Sequence, residues 1–189
     1  MQTLDFKSAR HWAQELIGEA MFDGAVALDG TMGGGGDTQY LCERAGEKGR
    51  VYGFDVQAEA VFRTRVRLEE AGLARRATLI HAGHERIAEF VREPVDVAVF
   101  NLGWLPGGDK AVTTRVDTTL AALNACLTLL KLRGLLTVCA YPGHPEGEAE
   151  LNAVLSWARS LPDGYQAMIR AFLNPARPAP ALFAVQRIR

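Results

Sequence analysis

The stretch from Ala25 to Thr38 restricts this chain more than any other part of it. An apolar run, Ala25 to Leu28, ends in a carboxylate, Asp29. Gly33, Gly34, Gly35 and Gly36 follow, and Asp37 and Thr38 then open a helical pattern that carries Tyr40, Leu41 and Ala45. This order reads as strand, tight turn and helix N-terminus. A turn of bare backbone lets a ligand approach where a side chain would block it. The chain is therefore expected to hold a nucleotide-like cofactor at the end of its first strand.

The rest of the chain repeats that alternation. Ala9, Trp12, Ala13, Leu16, Ile17 and Ala20 recur at helical spacing, which predicts a helix over 8–21 capped by Ser8. Strands are expected at Ala25–Leu28, Val51–Phe54, Ala77–Ile80, Val95–Phe100 and Leu135–Ala140. The helices between them fall at Asp37–Ala45, Gln57–Glu70, Arg86–Val91 and Thr114–Leu132, the last ended by Gly134. A further helix is expected near Glu146–Ser160. Two final strands, Tyr165–Leu173 and Ala181–Arg187, have no helix between them. Strands that alternate with helices run parallel with right-handed crossovers, whereas the last two must run antiparallel. The expectation is one α/β domain over residues 1–189. It has a seven-stranded, mostly parallel sheet, helices on both faces and a C-terminal antiparallel hairpin.

Composition excludes several classes. With 21 Lys and Arg against 22 Asp and Glu, no bulk charge draws the chain to nucleic acid or to a membrane. Local basic stretches remain, at Arg63, Arg65, Arg67, Arg75 and Arg76 and at Arg170, Arg177, Arg187 and Arg189; solvated helix and strand faces are the simpler account of both. Cys42, Cys126 and Cys139 lie scattered in apolar patterns, as reduced thiols of a cytoplasmic protein do. No signal peptide or membrane span is expected. His81, His84, Glu85 and His144 match no common metal spacing, so no metal is expected.

Polar groups close each of the first four strands: Asp29, Asp55, the run Gly83, His84 and Glu85, and Asn101. Ligands of open α/β sheets bind at those ends. Asp55 follows the glycines at the distance of a ribose-binding carboxylate, or else caps the helix beginning at Gln57. Gln57 either contacts an adenosine or only starts that helix. Asp37 either caps its own helix or receives a cationic amino group. The charge of the ligand separates two cofactors. A dinucleotide's pyrophosphate favours bare amides without nearby acid. A sulfonium with an ammonium favours carboxylates, so Asp29 and Asp37 flanking the glycines point to S-adenosylmethionine and away from a nicotinamide oxidoreductase.

The loop after the fourth strand carries Asn101, Leu102, Gly103, Trp104 and Lys110, which suits a planar, amine-bearing acceptor. The Asn101 amide can orient the amine and Trp104 can stack on a base, or the segment is a turn with a core tryptophan. Tyr141 and His144 follow the fifth strand, and His144, in a loop between prolines, either packs or serves a function.

With these motifs in view, the chain resembles the class I S-adenosylmethionine-dependent methyltransferases, of Rossmann-like fold. More narrowly, Asp29 to Thr38, Phe54 to Gln57, His84 with Glu85, Asn101 to Lys110 and Gly143 to Gly147 resemble a small bacterial family labelled rRNA methylase. Its members act as tRNA 5-aminomethyl-2-thiouridine methyltransferases at the wobble position. The resemblance implies Gly33, Gly34, Gly36, Asp37, Asp55, Gln57, Gly83 and His84 around the cofactor, with Asp29 beside them. It implies Leu102, Gly103, Trp104, Lys110 and Tyr141 on the acceptor side, with Asn101 and His144 catalytic. The partner implied is a tRNA anticodon loop. The family usually has Asn at position 34, Ser at 83 and Tyr at 104. Another RNA, a small molecule or a protein amine is the alternative acceptor. Apolar residues of the first helix suggest a homodimer.

Overall fold

The computed structural model describes residues 7–105, 107–109, 111–143 and 145–189. Seven strands form one sheet in the order β3-β2-β1-β4-β5-β7-β6. They are β1 (Val26–Asp29), β2 (Arg50–Asp55), β3 (Ala77–His81), β4 (Val95–Asn101), β5 (Leu130–Ala140), β6 (Tyr165–Arg170) and β7 (Ala181–Arg187). The pairs among β1 to β5 are parallel, and β7 runs antiparallel to both β5 and β6. The expected mixed sheet is thus present, with β7 inserted between β5 and the edge strand β6. Strand order reverses at β1 and β4, so the crevice between their carboxyl ends is where such a sheet binds ligands.

Side chains alternate across the sheet with the period of a strand and feed two cores. Leu28, Ala98, Phe100, Leu136, Val138, Phe183 and Val185 pack on one face with Leu123 and Cys126 of α5 (Val116–Leu129) and Val154 of α6 (Pro145–Arg159). Ala27, Val97, Val99, Leu135, Cys139 and Leu182 pack on the other. There they meet α1 (Ala9–Ala20), α2 (Gly36–Ala45) and α3 (Ala58–Glu70). A 3-10 turn (His84–Arg86) runs into a short α-helix, α4 (Ile87–Phe90), between β3 and β4. Ser8 caps α1 as expected, accepting from the His11 amide. Ala9, Ala13 and Ile17 of α1 are buried against this same sheet, whereas Trp12, Leu16 and Ala20 are only partly buried. The three cysteines are free and buried.

The helix expected over Thr114–Leu132 is shorter than its apolar spacing implies. It ends at Leu129, and Leu130 already pairs with Val95 in the sheet. Lys131 Nζ donates to Asp96 on β4 at 2.7 Å, and Asp96 also accepts from the Val26 amide of β1. The register shifts between Val95 and Val97, and Arg133 adopts φ 70°. Gly134 is therefore inside the bulged start of β5 rather than a helix terminator. Strand pairing and the ion pair override local periodicity. At the other end, β6 stops at Arg170, and Leu173 is fully exposed.

Gly30 marks the tightest approach beneath the site. Its amide donates to Val99 O at 2.9 Å, and a Cβ there would overlap the buried Phe100 ring. Gly30→Ala is expected to lower stability by about 2 kcal/mol, the usual effect of overpacking a filled core. Denaturant melts of the two proteins measure it, and an unchanged midpoint would contradict the close packing.

Candidate active site at the carboxyl ends of the strands

A cavity of about 840 Å³ opens at the ends of β1, β2 and β4. Its volume lies toward the upper end for small-ligand pockets, which suits a cofactor and part of an acceptor together. One half is walled by Gly33, Gly34, Gly36, Asp55, Gln57 and His84, the other by Asn101, Leu102, Gly103, Trp104 and Tyr141. Asp37 and Arg10 lie on the wall as well, and Pro178 and Pro180 contribute from the loop between β6 and β7.

The glycine turn is held from every side. Gly35, at φ 79°, is the N-cap residue of α2, and a Cβ on it would press on the Thr64 backbone of α3 at 2.9 Å. Only glycine suits that combination of handedness and contact. Thr64 Oγ1 donates to Gly33 O at 3.1 Å and Arg67 Nε to Gly34 O at 2.8 Å. The Gly33 amide donates to Asp55 Oδ2 at 2.9 Å. The other oxygen of Asp55 accepts from the Gln57 amide at 2.9 Å. Gln57 itself occupies the N-cap position of α3 without a side-chain cap bond. Asp55 thus joins the turn to the start of α3, with lone pairs left over for a ligand hydroxyl. Position 34, usually Asn in the resembling family, has open space around it, whereas at position 83 the Glu85 carboxylate fills the place a Cβ would take.

The two acids expected to flank the turn behave differently from that expectation. Asp29 is fully buried and does not wall the cavity. Its Oδ2 accepts from Thr38 Oγ1 at 2.6 Å and its Oδ1 from the Thr31 amide at 3.1 Å. A carboxylate enclosed in this way braces the turn and cannot touch a ligand cation. Burial pushes its pKa up to about 7, with the charge of Asp37 adding to the effect. Asp37 does reach the cavity but is not the cap of α2, which starts one residue earlier. Its Oδ1 accepts from Arg10 Nη2 at 2.9 Å and Gln14 Nε2 at 3.1 Å, and its Oδ2 from Asn101 Nδ2 at 2.8 Å. The hydrogen bond to Asp37 raises the Arg10 pKa.

His84 is buried with its ring edge-on to Phe100, 5.8 Å between centroids. Burial lowers its pKa, which favours the neutral imidazole. With Nδ1–H donating to Gly30 O at 3.3 Å, the buried Nε2 is left as an acceptor without a partner among the described residues.

In the other half of the cavity, the loop after β4 folds back on itself. Trp104 bridges Thr113, and the Gly103 amide donates to Thr114 Oγ1 at 2.7 Å. Thr114 in turn donates to Glu150 of α6 at 2.7 Å, and Thr119 of α5 to the same carboxylate at 2.6 Å. Glu150 is buried, so one carboxylate anchors the loop to two helices. Burial pushes the Tyr141 phenol up to about 12, so it stays protonated at neutral pH. Lys110 and His144 lie outside the described residues.

Arg10, Gln14, Thr31, Thr64, Arg67 and Glu150 were missed as site residues. The i, i+4 spacing of Arg10 and Gln14 was a signal that both face one way. Nothing local in the sequence marks Glu150. Among the described residues no group of three or more His, Cys, Asp or Glu side chains is arranged to hold a metal, and no helix is long and apolar enough to cross a membrane.

Comparisons with known proteins bear on the family and the fold. Residues 51–186 match the family described as "Putative rRNA methylase". A crystal structure of a protein so described from Clostridium thermocellum is 34% identical, with a TM-score of 0.95, covering 98% of this chain and 100% of that one. A Streptococcus mutans protein described as a "putative methyltransferase", crystallised in complex with SAH, is 31% identical with a TM-score of 0.88, over 97% and 99% of the two chains. The chloroplastic tRNA (mnm(5)s(2)U34)-methyltransferase of Arabidopsis thaliana is 34% identical over 166 residues, 82% of this chain. The chain spans 61% of that relative's length.

The buried Asp29 carboxyl sets a pH dependence. Its folded pKa lies above that of the unfolded chain, so the folded state retains a proton that the unfolded state releases near pH 4. The contribution to stability is full below that pH and is lost as pH rises through about 7. Asp29→Asn removes this titration. Denaturant melts from pH 5 to pH 8 should show the variant gaining on the wild type by on the order of 3 kcal/mol. A gap independent of pH would mean that Asp29 titrates normally.

Proposed function

The chain belongs to the rRNA methylase family, and from that premise we propose that it is an S-adenosylmethionine-dependent RNA methyltransferase. We further propose that its acceptor is the 5-aminomethyl group of the modified wobble uridine of tRNA. The observation that carries the proposal is one cavity with two unlike halves, a bare glycine turn beside Asp55 and a braced loop beginning at Asn101. The likeness to the tRNA-modifying plant relative supports the finer statement.

In this reading the backbone of Gly33, Gly34 and Gly36 lies against the methionine moiety. Asp55 accepts from the ribose hydroxyls, and Gln57, Gly83 and His84 border the adenine. The acceptor amine approaches Asn101, with its base against Trp104 and Tyr141 and the backbone of Leu102 and Gly103 shaping the entrance. Lys110 is assigned to the acceptor side from the sequence alone. The amine nitrogen attacks the methyl carbon in line with the sulfonium. A C–N bond forms, the C–S bond breaks, and the uncharged thioether leaves.

An alkylamine is mostly protonated at neutral pH, so a proton must leave before attack. His144 is the proposed acceptor of that proton. Holding the two reactants in line supplies most of the acceleration.

An rRNA acceptor is the second reading. It rests on a 36% identity over 84 residues to the Ribosomal RNA small subunit methyltransferase H of Magnetococcus marinus, covering 42% of this chain.

Incubation with methyl-labelled S-adenosylmethionine and bulk tRNA from a strain lacking the modification tests the proposal. Label should appear in the wobble nucleoside. Label confined to rRNA added in parallel would favour the second reading, and no transfer to either would refute both. In calorimetry, Asp55→Ala should weaken S-adenosylmethionine binding at least about tenfold, as loss of a charge-assisted pair of hydrogen bonds does; unchanged affinity would remove its ribose role.

A further inference from the structure

Asn101 ends β4 with both its main chain and its side chain tied down. Its amide N–H donates to Thr31 Oγ1 at 2.7 Å, and its Nδ2 donates to Asp37 Oδ2 at 2.8 Å. A carboxylate only accepts hydrogen bonds. The contact therefore decides which end of the Asn101 amide is which, with nitrogen toward Asp37 and Oδ1 turned away from it. Among the described residues no donor reaches that Oδ1, and Asn101 lies on the cavity wall.

The far side of Asp37 is equally occupied. Its Oδ1 takes Arg10 Nη2 at 2.9 Å, Arg10 Nε at 3.3 Å and Gln14 Nε2 at 3.1 Å. Arg10 and Gln14 stand one turn apart on α1, the helix that precedes the first strand. Arg10 also packs against the start of α2, 2.9 Å from the place of a Cβ on Gly36.

We propose that Arg10, Gln14 and Asp37 are positioning residues that hold the Asn101 amide with its oxygen as the free acceptor, and so select a nucleophile that carries a hydrogen on its attacking atom. The proposal rests on the reading that Asn101 meets the acceptor. It departs from the sequence-based expectation that Asp37 pairs with the cofactor's ammonium. A carboxylate already matched by a guanidinium offers little net charge to a second cation, and Arg10 itself repels one.

An uncharged primary amine suits the arrangement. One N–H held at Oδ1 fixes the direction of the lone pair on the same nitrogen. A nucleophile without a hydrogen on its attacking atom would bring its own lone pair against that oxygen. Holding the amide also prevents the flip that would present two donors to the amine and turn its lone pair away from the methyl group.

Three variants of the full chain test the proposal: Arg10→Ala, Arg10→Lys and Asp37→Asn. Calorimetric titration with S-adenosylmethionine alone should give dissociation constants within about threefold of wild type for all three. At saturating cofactor, with tRNA carrying the 5-aminomethyl wobble uridine as acceptor, Arg10→Ala and Asp37→Asn should lower kcat at least about tenfold, and Arg10→Lys should recover part of the loss. The opposite split, cofactor binding weakened about tenfold with kcat intact, would make Asp37 the ammonium partner and overturn the proposal.

A second readout does not need turnover. The side-chain NH2 resonances of Asn101, assigned by their loss in Asn101→Asp, should shift and lose solvent protection in Asp37→Ala. Unchanged resonances would overturn the proposal. Failure of the wild type to methylate any RNA would refute the proposed function instead, leaving the resonance test to decide this one.

Discussion

A single buried carboxylate, that of Asp29, ties both ends of the glycine turn. One oxygen holds the Thr31 amide where the strand ends, and the other holds the Thr38 hydroxyl in the first turn of α2. The two residues that hold Asn101 stand at or beside these two bonds. Thr31 is the residue whose hydroxyl takes the Asn101 amide, and Asp37, beside Thr38, takes the Asn101 side chain. The glycines between are thus free to serve as open backbone because their conformation is set from outside, by Asp29 beneath and by Thr64, Arg67 and Asp55 above. Burying a carboxyl without a counter-charge is unfavourable, and its raised pKa records that.

The two faces of the sheet divide the work. Helices α1, α2 and α3 pack on one face and supply the groups around the turn: Arg10, Asp37 and Thr64. Helices α5 and α6 pack on the other face, and their Thr119 and Glu150 anchor the loop that begins at Asn101. Asn101 sits where the halves meet, and it is bonded to the first group from both backbone and side chain.

Much of this was legible in the sequence because the signals are local. Alternating apolar strands, a glycine turn after a carboxylate and polar residues at strand ends all act over a few residues. The parallel sheet with its antiparallel end followed from which strands have helices between them. Errors arose where distant contacts decide. Leu130 belongs to the helical spacing of Leu123 and Leu127, yet pairing with Val95 draws it into β5. Asp29 and Asp37 look alike beside the glycines, and only burial distinguishes a brace from a residue of the cavity wall. Glu150 gives no local sign of its role, since its partners Thr114 and Thr119 lie more than thirty residues away in the chain.

Pro178 and Pro180 form part of the cavity wall. Neither ring has an N–H to donate, and each fixes its own φ. That wall accordingly offers shape without hydrogen-bond donors, and there is little backbone freedom for a visiting molecule to remove. Along this border the two rings present contour rather than main-chain donors.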